Sequence, residues 1–174
     1  LLKSPPQRGS PRALPYGSFG LAMSLEDDIA FFQQVPTFAA LGKQALRILA
    51  IGAETRQLTN GSVLFYAGEV ADGGYVVLDG ALSLEPSSSL NNERFIAGPG
   101  TLVSERALFA DTVCSSTAIA RGQTTVIRIS RSLFREMMEG YPEAAQKLRD
   151  TMAERVDGWV RELGAVKRRL EGGG

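Results

Sequence analysis

The sequence predicts a mainly β protein with flanking helices: a double-stranded β-helix (jelly-roll) barrel with N-terminal helices and a long C-terminal helix. Three observations indicate this class. Short strand-like segments separated by Gly-containing turns occupy residues 56–130, a pattern typical of β barrels. Apolar residues recur at helical spacing before these segments, and a longer stretch of helical spacing follows them. One β core between two helical regions is therefore expected.

The first 22 residues differ from the rest in composition. They combine four prolines with Gly, Ser and basic residues, and such a segment buries too little apolar surface to fold. We expect residues 1–22 to be a disordered extension, either native or left from cloning, with Met23 as the natural start. A basic interaction arm is the alternative.

Two short helices are expected next. Ser24 and Asp27 form a capping-box pattern at the start of the first helix. Pro36 ends that helix, because proline cannot donate the backbone hydrogen bond that would continue it. Apolar residues at helical spacing between residues 41 and 50 predict the second helix.

Strand patterns follow the helices. Asn60-Gly61 is the strongest two-residue hairpin signal in the chain and predicts a tight turn after the strand 56–59. Asp79-Gly80 predicts another tight turn. The other predicted strands are 63–66, 75–78, 81–85, 94–97, 116–120 and 124–130.

Two helices are predicted after the strands. Ser130 or Ser132 caps the first, which ends near Gly140, and Pro142 suits the first turn of a long helix up to residue 171. The long helix carries an apolar seam with steps of three or four residues: Ala145, Leu148, Met152, Val156, Trp159, Leu163, Val166 and Leu170. We expect this seam to meet a second copy in a homodimer; the alternative is that it packs on its own barrel.

Composition excludes several kinds of chemistry. Lys+Arg and Asp+Glu number 19 each, so net charge indicates neither a nucleic-acid nor a membrane partner, and no apolar run approaches the roughly 18 residues of a membrane span. The chain has no His, which excludes His-based triads, zinc sites and haem ligation. Cys114 is the single Cys, which suits a reducing cytoplasm. We expect no catalytic residue, no metal and no enzyme activity.

The glycine framework is similar to that of the cyclic-nucleotide-binding domain family, in particular to effector domains of the catabolite-activator (CRP/FNR) type. The stretch Asn60–Gly80 contains the family pattern, with Gly61, Gly68-Glu69, Asp72, Tyr75 and Gly80. Gly98-Pro-Gly then precedes Glu105-Arg-Ala-Leu-Phe, which resembles the start of the family's phosphate-binding cassette. The resemblance covers residues 26–170 and implies a jelly-roll domain at 23–141 followed by a dimerisation helix at 142–171.

The resemblance also implies a ligand site, in residues 104–116, which we call the cassette. The family's Glu accepts a hydrogen bond from a ribose hydroxyl, and Glu105 occupies that position. The family's Gly before this Glu is Ser104 here, and its phosphate-binding Arg is Cys114, which has neither the charge nor the donors of Arg. The candidate ligand-binding residues are Ser104, Glu105, Arg106, Ala107, Cys114, Ser115, Ser116 and Trp159.

Two of these candidates, Arg106 and Trp159, have alternative interpretations, and two serines have a weaker role. Arg106 reaches a bound anion, or it is exposed or paired with a Glu. The hydroxyls of Ser115 and Ser116, with the free N–H groups of the cassette helix, hold an anion weakly. Trp159 resembles the position that faces the nucleotide base; it stacks on the base, or it plugs the pocket or lies in the helix seam.

The resemblance implies a stand-alone regulatory or sensor domain in which cAMP or cGMP binds at the cassette and repositions the C-terminal helix. Cys114 predicts that this binding is weak or lost. The alternative is therefore a degenerate domain that binds no cyclic nucleotide and serves as a dimeric interaction module or binds another small ligand. A cupin-like enzyme is disfavoured by the absence of His. The expected partner is an unknown downstream protein, not DNA, because no recognition helix follows.

Overall fold

The computed structural model describes residues 24–87 and 94–171, without the side chains of Trp159, Leu170 and Glu171. The strands are β1 (Glu54–Leu58), β2 (Val63–Phe65), β3 (Val70–Ala71), β4 (Gly73–Pro86), β5 (Phe95–Ala97), β6 (Leu102–Val103), β7 (Thr112–Val113) and β8 (Ser116–Ser130). The helices are α1 (Leu25–Gln33), α2 (Lys43–Gly52), α3 (Arg131–Gly140) and α4 (Pro142–Glu171), and a short 3-10 helix, Glu105–Leu108, lies between β6 and β7. The predicted extension 1–22 lies outside the described residues.

Helix α1 begins with the capping box that the sequence predicts. The Ser24 hydroxyl accepts a hydrogen bond from the Asp27 N–H at 3.3 Å, and the Asp27 carboxylate accepts one from the Ser24 N–H at 3.0 Å. These bonds satisfy donors that the first helical turn leaves free. The helix ends at Gln33, before Pro36, and the second predicted helix is present as α2.

Helices α3 and α4 also begin at predicted residues. Ser130 caps α3, because its hydroxyl accepts a hydrogen bond from the Leu133 N–H at 3.1 Å. Ser132, the other predicted cap, lies inside the helix, and its hydroxyl is 3.0 Å from that of Ser130. Helix α4 begins at Pro142.

Two long antiparallel strands, β4 and β8, form the centre of the β structure. β1, β2, β5 and β6 pair with one or the other of them to give a six-stranded sheet, in which β1, β8, β4 and β5 follow one another. β3 and β7 form a separate antiparallel pair. The described strands therefore have the antiparallel pattern of a jelly-roll fold with flanking helices, and the predicted fold class is confirmed.

The predicted tight turn at Asn60-Gly61 is present, because the Ser62 N–H donates to the Thr59 carbonyl at 3.0 Å, but the hairpin pairing that it predicts is wrong. β1 and β2 flank this turn, but both pair with β8 rather than with each other. The Gly61 N–H donates to the Ala120 carbonyl at 2.8 Å, and the side-chain oxygen of Asn60 accepts a hydrogen bond from the Gly122 N–H at 2.8 Å. β8 supplies these partners. The turn therefore connects β1, which pairs with residues 124–128 of β8, to β2, which pairs with residues 118–119.

The predicted turn at Asp79-Gly80 is also wrong, because both residues lie inside β4. The register with β8 shifts on both sides of Asp79, which marks a β-bulge. Gly80 has φ +78°, and a Cβ there would lie 2.3 Å from the Gln123 carbonyl oxygen. A bulge bends a strand without ending its pairing, so the predicted strands on either side are one strand. The two strands predicted within 116–130 are likewise one strand, β8.

Apolar side chains pack on both faces of the sheet. Along β4, Val76 belongs to a layer shared with the helices, whereas Val77 belongs to an inner layer. Ile127 and Val126 of β8 divide in the same way. This alternation follows from the two-residue period of a strand. The inner layer contains Cys114, so the cassette is packed against it.

The two halves of α4 have different surroundings. Ala145 and Leu148 are 4% and 1% exposed, and Leu148 belongs to the helix-side layer. Val156, Leu163 and Val166 are 59%, 69% and 51% exposed. The seam therefore packs on its own domain at its start, as the alternative prediction proposes, whereas its described members from Val156 onward are exposed. Self-association through the exposed part stays a prediction.

Candidate functional site

The turn Gly98-Pro-Gly100 returns the chain to β4 just before the cassette. The Thr101 N–H donates to the Gly98 carbonyl at 3.1 Å, and the Gly100 N–H donates to the Val77 carbonyl at 2.8 Å. Gly100 has φ +83°, which glycine adopts without steric strain. β6 then pairs with β4, and this pairing fixes where the cassette begins.

Ser104 opens the cassette in a left-handed conformation, with φ 61° and ψ 36°. In the described residues it is the only non-glycine residue with positive φ, and the sequence resemblance aligns it with a glycine of the family. A Cβ in this conformation introduces about 1–2 kcal/mol of strain. The chain thus keeps a backbone shape that its own residue does not favour.

A single 3-10 turn follows Ser104 where the sequence predicts a short helix. The Ala107 N–H donates to the Ser104 carbonyl at 3.0 Å. Ala107 and Leu108 are 0% and 3% exposed, so they hold this turn in the core. A four-residue helix offers only a small dipole, and the anion-binding role of its N-terminus therefore stays a prediction.

Cys114, which the sequence resemblance aligns with the family's Arg, is buried. Its N–H donates to the Glu69 carbonyl at 2.8 Å, and its carbonyl accepts a hydrogen bond from the Gly68 N–H at 2.7 Å. Burial raises the pKa of the thiol; the Glu69 carboxylate raises it further, a hydrogen bond with Ser104 opposes the shift, and Asp72 adds to it. The side chain at this position is therefore an uncharged thiol at neutral pH.

A cavity of about 140 Å³ lies against the cassette; we call it the cassette cavity. Its apolar lining is Phe65, Leu84, Phe95, Leu102 and Val103. Its polar lining is Thr101, Ser104, Cys114, Ser115 and Ser116. Four of the eight sequence candidates thus line one cavity. Ser115 is exposed, and Ser116 is half-buried.

Glu105 is not among the lining residues of the cassette cavity. Its carboxylate accepts a hydrogen bond from the hydroxyl of Thr37, and it lies 3.6 Å from Nη1 of Arg155 in α4. Thr37 is 4% exposed and belongs to the connection between α1 and α2. One carboxylate of the cassette therefore joins the N-terminal helices to the C-terminal helix.

The remaining candidates lie apart from the cavity. Arg106 is exposed, and Ala107 is a core residue. The backbone of Trp159 belongs to α4, but its side chain lies outside the described residues. Its roles as a stacking ring, a plug or a seam residue all stay predictions.

Arg131 contacts the cassette although no sequence pattern singles it out. Its Nε donates to the Ala107 carbonyl at 2.7 Å, its Nη2 donates to the Ala71 carbonyl, and its Nη1 pairs with Asp111. The contact of Thr37 with Glu105 is likewise not indicated by any sequence pattern. Contacts of this kind join residues that are far apart in the chain, so local periodicity carries no signal for them.

A second cavity, of about 220 Å³, has a strongly charged lining. Its Arg128 has Nη2 2.7 Å from the Asp72 carboxylate and Nη1 3.6 Å from that of Glu54. Its Arg56 has Nη2 3.4 Å from Glu54, and the guanidinium carbon lies 5.9 Å from the ring centre of Tyr75. This cavity shares three lining residues with the cassette cavity: Phe65, Ser104 and Cys114.

No helix in residues 24–87 and 94–171 combines the length and apolar character needed to cross a membrane. In the same residues, His, Cys, Asp and Glu form no group of three or more that could hold a metal ion.

Residues 55–141, half of the chain, match the family described as cyclic nucleotide-binding domain. A curated relative is a cyclic nucleotide-gated potassium channel from Mesorhizobium japonicum, 26% identical over 121 residues. That match covers 70% of this chain and 33% of the channel. The chain therefore spans about a third of that relative's length.

Several solved structures are similar to this chain. A cyclic nucleotide-binding-like protein from Brucella abortus is 38% identical, with a TM-score of 0.58, over 65% of this chain and 98% of that one. The N-terminal domain of a transcriptional regulator from Streptomyces coelicolor is 24% identical, with a TM-score of 0.70, over 76% and 94%. The catabolite activator protein of Thermus thermophilus is 23% identical, with a TM-score of 0.61, over 76% and 63%. The last two show a shared fold.

Proposed function

This chain belongs to the cyclic nucleotide-binding domain family, and we propose that it is a regulatory domain whose cassette binds a small ligand and transmits that binding to α4. The observation that carries this proposal is the Glu105 carboxylate, which contacts Thr37 and Arg155 at once. A ligand that displaces the cassette would change this contact and so release or reposition α4.

Helix α3 supports the same coupling by a second route. The Phe109 ring, just after the 3-10 helix, meets Phe134 of α3 edge-on, with ring centres 5.2 Å apart. Arg131, at the start of α3, donates to the Ala107 carbonyl. α3 is followed almost directly by α4 at Pro142. A displacement of the cassette would therefore reach α4 through packed side chains as well as through the ion pair.

cAMP and cGMP are the ligands that family membership suggests. Two residues of the cassette weaken the binding of both. Cys114 supplies neither the charge nor the paired donors of an Arg, and Ser104 adds a Cβ in place of glycine. Loss of one partner of a buried charge pair costs about 2–5 kcal/mol, or roughly 30- to several-thousand-fold in affinity. Binding of cyclic nucleotides to this chain is accordingly weak or absent.

A degenerate domain that acts as a dimeric interaction module is the second candidate. The distal half of α4 supports it: Val156, Val160 and Leu163 are 59%, 63% and 69% exposed. Two copies of α4 packed about a two-fold axis would remove this apolar stripe from water. Gly164, one turn after Val160, has open space around it, which would let the two helices approach closely beside this stripe.

Hydrogen exchange measured on three variants tests the coupling. Glu105→Gln and Arg155→Gln should each raise exchange both in residues 104–109 and in α4, and the double variant should add little, because one contact is lost in all three. Arg161→Gln is the control, since the Nε of Arg161 donates to the Asp157 carbonyl within α4. Unchanged exchange of the cassette in Arg155→Gln would contradict the coupling.

Sedimentation tests the dimer separately. We expect a dimer for the natural sequence and a monomer for Leu163→Glu, because two charges buried in the seam would oppose association. A monomer at high protein concentration for the natural sequence would refute association through α4.

A further inference from the structure

The cassette cavity is lined by uncharged groups. Aromatic and aliphatic side chains combine there with the hydroxyls of Thr101 and three serines and with the thiol of Cys114. Among the described residues that line it, none is Lys, Arg, Asp or Glu. The cavity therefore differs from a phosphate site, which needs cations or many aligned donors.

Three arginines near the cassette have other partners, and a fourth, Arg106, is exposed and does not line the cavity. Nε of Arg94 lies 3.6 Å from the Glu85 carboxylate. Arg155 pairs with Glu105, and Arg131 donates to backbone carbonyls and pairs with Asp111. An anion in the cassette cavity would lose its water and gain no cation in return, which is unfavourable.

The electrostatic field at the cavity also disfavours an anion. Burial is the main reason why the pKa of Cys114 is raised, and the negative charges of Glu69 and Asp72 add to the effect. The same two charges would repel a phosphate or a carboxylate placed beside the thiol. A neutral ligand does not meet this repulsion.

The size of the cavity restricts the ligand further. Its volume is about 140 Å³, close to the roughly 150 Å³ of an apolar cavity that holds one benzene molecule. Phe65, which is 7% exposed, and Phe95 present aromatic surface to such a ring. Ser104 and Ser116 offer hydroxyls to one polar group on it.

We infer that the cassette cavity binds a small neutral ring compound that carries a single hydroxyl or carbonyl oxygen, an inference that rests on the proposed function because it takes the cassette as the ligand site. The ring contacts the apolar lining, and the oxygen exchanges a hydrogen bond with a serine hydroxyl. A carboxylate of the same shape is rejected, because its charge has no partner in the cavity.

Benzyl alcohol and benzoate form a matched pair of probes, since they share a ring and differ in charge. In NMR titrations of the full chain, benzyl alcohol should bind with a Kd of about 1 mM or tighter. Benzoate should bind at least about tenfold more weakly. Equal or tighter binding of benzoate would overturn the inference, and so would the absence of binding by both probes.

Two variants locate the site. Leu84→Trp should fill the cavity and abolish benzyl alcohol binding, and Cys114→Arg should reverse the preference by supplying a cation for benzoate. Arg56→Gln is the control, because Arg56 lines only the second cavity, and it should leave the Kd of benzyl alcohol unchanged. Circular dichroism tests whether each variant folds. If Cys114→Arg does not fold, binding of benzyl alcohol by folded Leu84→Trp would still overturn the proposed location of the site.

Hydrogen exchange of α4 with and without benzyl alcohol separates this inference from the proposed function. Binding that leaves the exchange of α4 unchanged would contradict the coupling but not the ligand class. A preference for benzoate would contradict the ligand class, whether or not α4 responds.

Discussion

Two cavities meet at Phe65, Ser104 and Cys114, and they differ in charge. The cassette cavity, of about 140 Å³, has no charged lining residue in the described ranges. The second cavity, of about 220 Å³, is lined by Arg56 and Arg128 together with two carboxylates. In the described residues, charged side chains therefore line the second cavity and not the cassette cavity.

The second cavity has the character of a structural ion-pair network. Arg128 is 13% exposed as a side chain and lies between the carboxylates of Asp72 and Glu54. The cassette, by contrast, is held by backbone bonds such as that from the Cys114 N–H to the Glu69 carbonyl. Backbone bonds do not depend on the identity of the side chain, so the frame of the cassette does not require an Arg in place of Cys114. Fold and ligand chemistry are thus separable in this domain.

The largest expected effect comes from removing the Phe65 side chain, which lines both cavities. Phe65→Ala should lower the free energy of unfolding by about 3 kcal/mol, because a buried ring is lost and the two cavities merge. Urea unfolding measures the change. Phe95→Ala is the control: Phe95 lines only the cassette cavity and is 58% exposed, so its loss should have a much smaller effect. Equal losses would contradict the role of Phe65 as the shared wall.

The cost of a charge without a partner can be measured at Asp28, outside both cavities. Asp28 is 5% exposed, and its Oδ1 has no hydrogen-bond partner among the described residues. Burial, and then the charge of Asp27, raise its pKa from 3.8 to about 6. The folded state therefore holds this proton more tightly than the unfolded state does. The stability that this adds is full below about pH 4 and is lost as pH rises through about 6.

Asp28→Asn should accordingly be more stable than the natural protein at pH 7, by on the order of 2 kcal/mol, and the difference should vanish near pH 4. Urea unfolding from pH 4 to 7.5 measures it. Asp27→Asn is the control with the opposite sign, because bonds from Ser24 lower the pKa of Asp27. A constant difference between Asp28→Asn and the natural protein across this range would rule out the raised pKa.

Removing a cation from the second cavity tests whether its charges are structural. Arg128→Gln should lower the free energy of unfolding by about 1–2 kcal/mol, less than a core truncation, because Asp72 and Glu54 regain water when their partner is lost. Their side chains are 70% and 53% exposed. Arg94→Gln is the control, since the Arg94–Glu85 pair is exposed and should contribute less than about 0.5 kcal/mol. If Arg128→Gln lowers the free energy of unfolding no more than Arg94→Gln does, the ion pairs of Arg128 do not stabilise the fold.

The smallest expected effect concerns the residue at the boundary of the cavities. Ser104→Gly should raise the free energy of unfolding by about 0.5–1 kcal/mol, because glycine relieves the strain at φ 61°. The loss of the hydrogen bond between Ser104 and Cys114 offsets part of this gain. Ser115→Gly is the control and should destabilise, since only Ser104 has positive φ among the described non-glycine residues. Destabilisation by Ser104→Gly would contradict the strain.

Much of the fold is readable in the sequence because it depends on local patterns. The capping box at Ser24, the cap at Ser130 and the start of α4 at Pro142 are interactions within a few residues of chain, and the structure contains all of them. The hairpin pairing at Asn60-Gly61 and the turn at Asp79-Gly80 are wrong for a different reason. Glycine marks positive φ equally in hairpins, bulges and connections, and only the distant strand β8 distinguishes these cases.

The candidate site divides in the same way. Ser104 and Cys114 could be placed in one cavity because the family spacing aligns them with the cassette. The partners of Glu105 could not, because Thr37 and Arg155 are brought to it by tertiary packing of helices that carry no matching pattern. The size and the uncharged lining of the cavity likewise depend on Phe65, Leu84 and Phe95, which belong to three different strands.

Calorimetric titration with cAMP tests the central claim most directly, namely that the cassette keeps the frame of its family without the charge that binds phosphate. The natural chain should show no binding tighter than about 10 µM. The double variant Ser104→Gly/Cys114→Arg should bind at least about thirtyfold more tightly than the natural chain, because it regains the cation and the glycine. Binding of cAMP by the natural chain at a Kd below about 10 µM would contradict the claim.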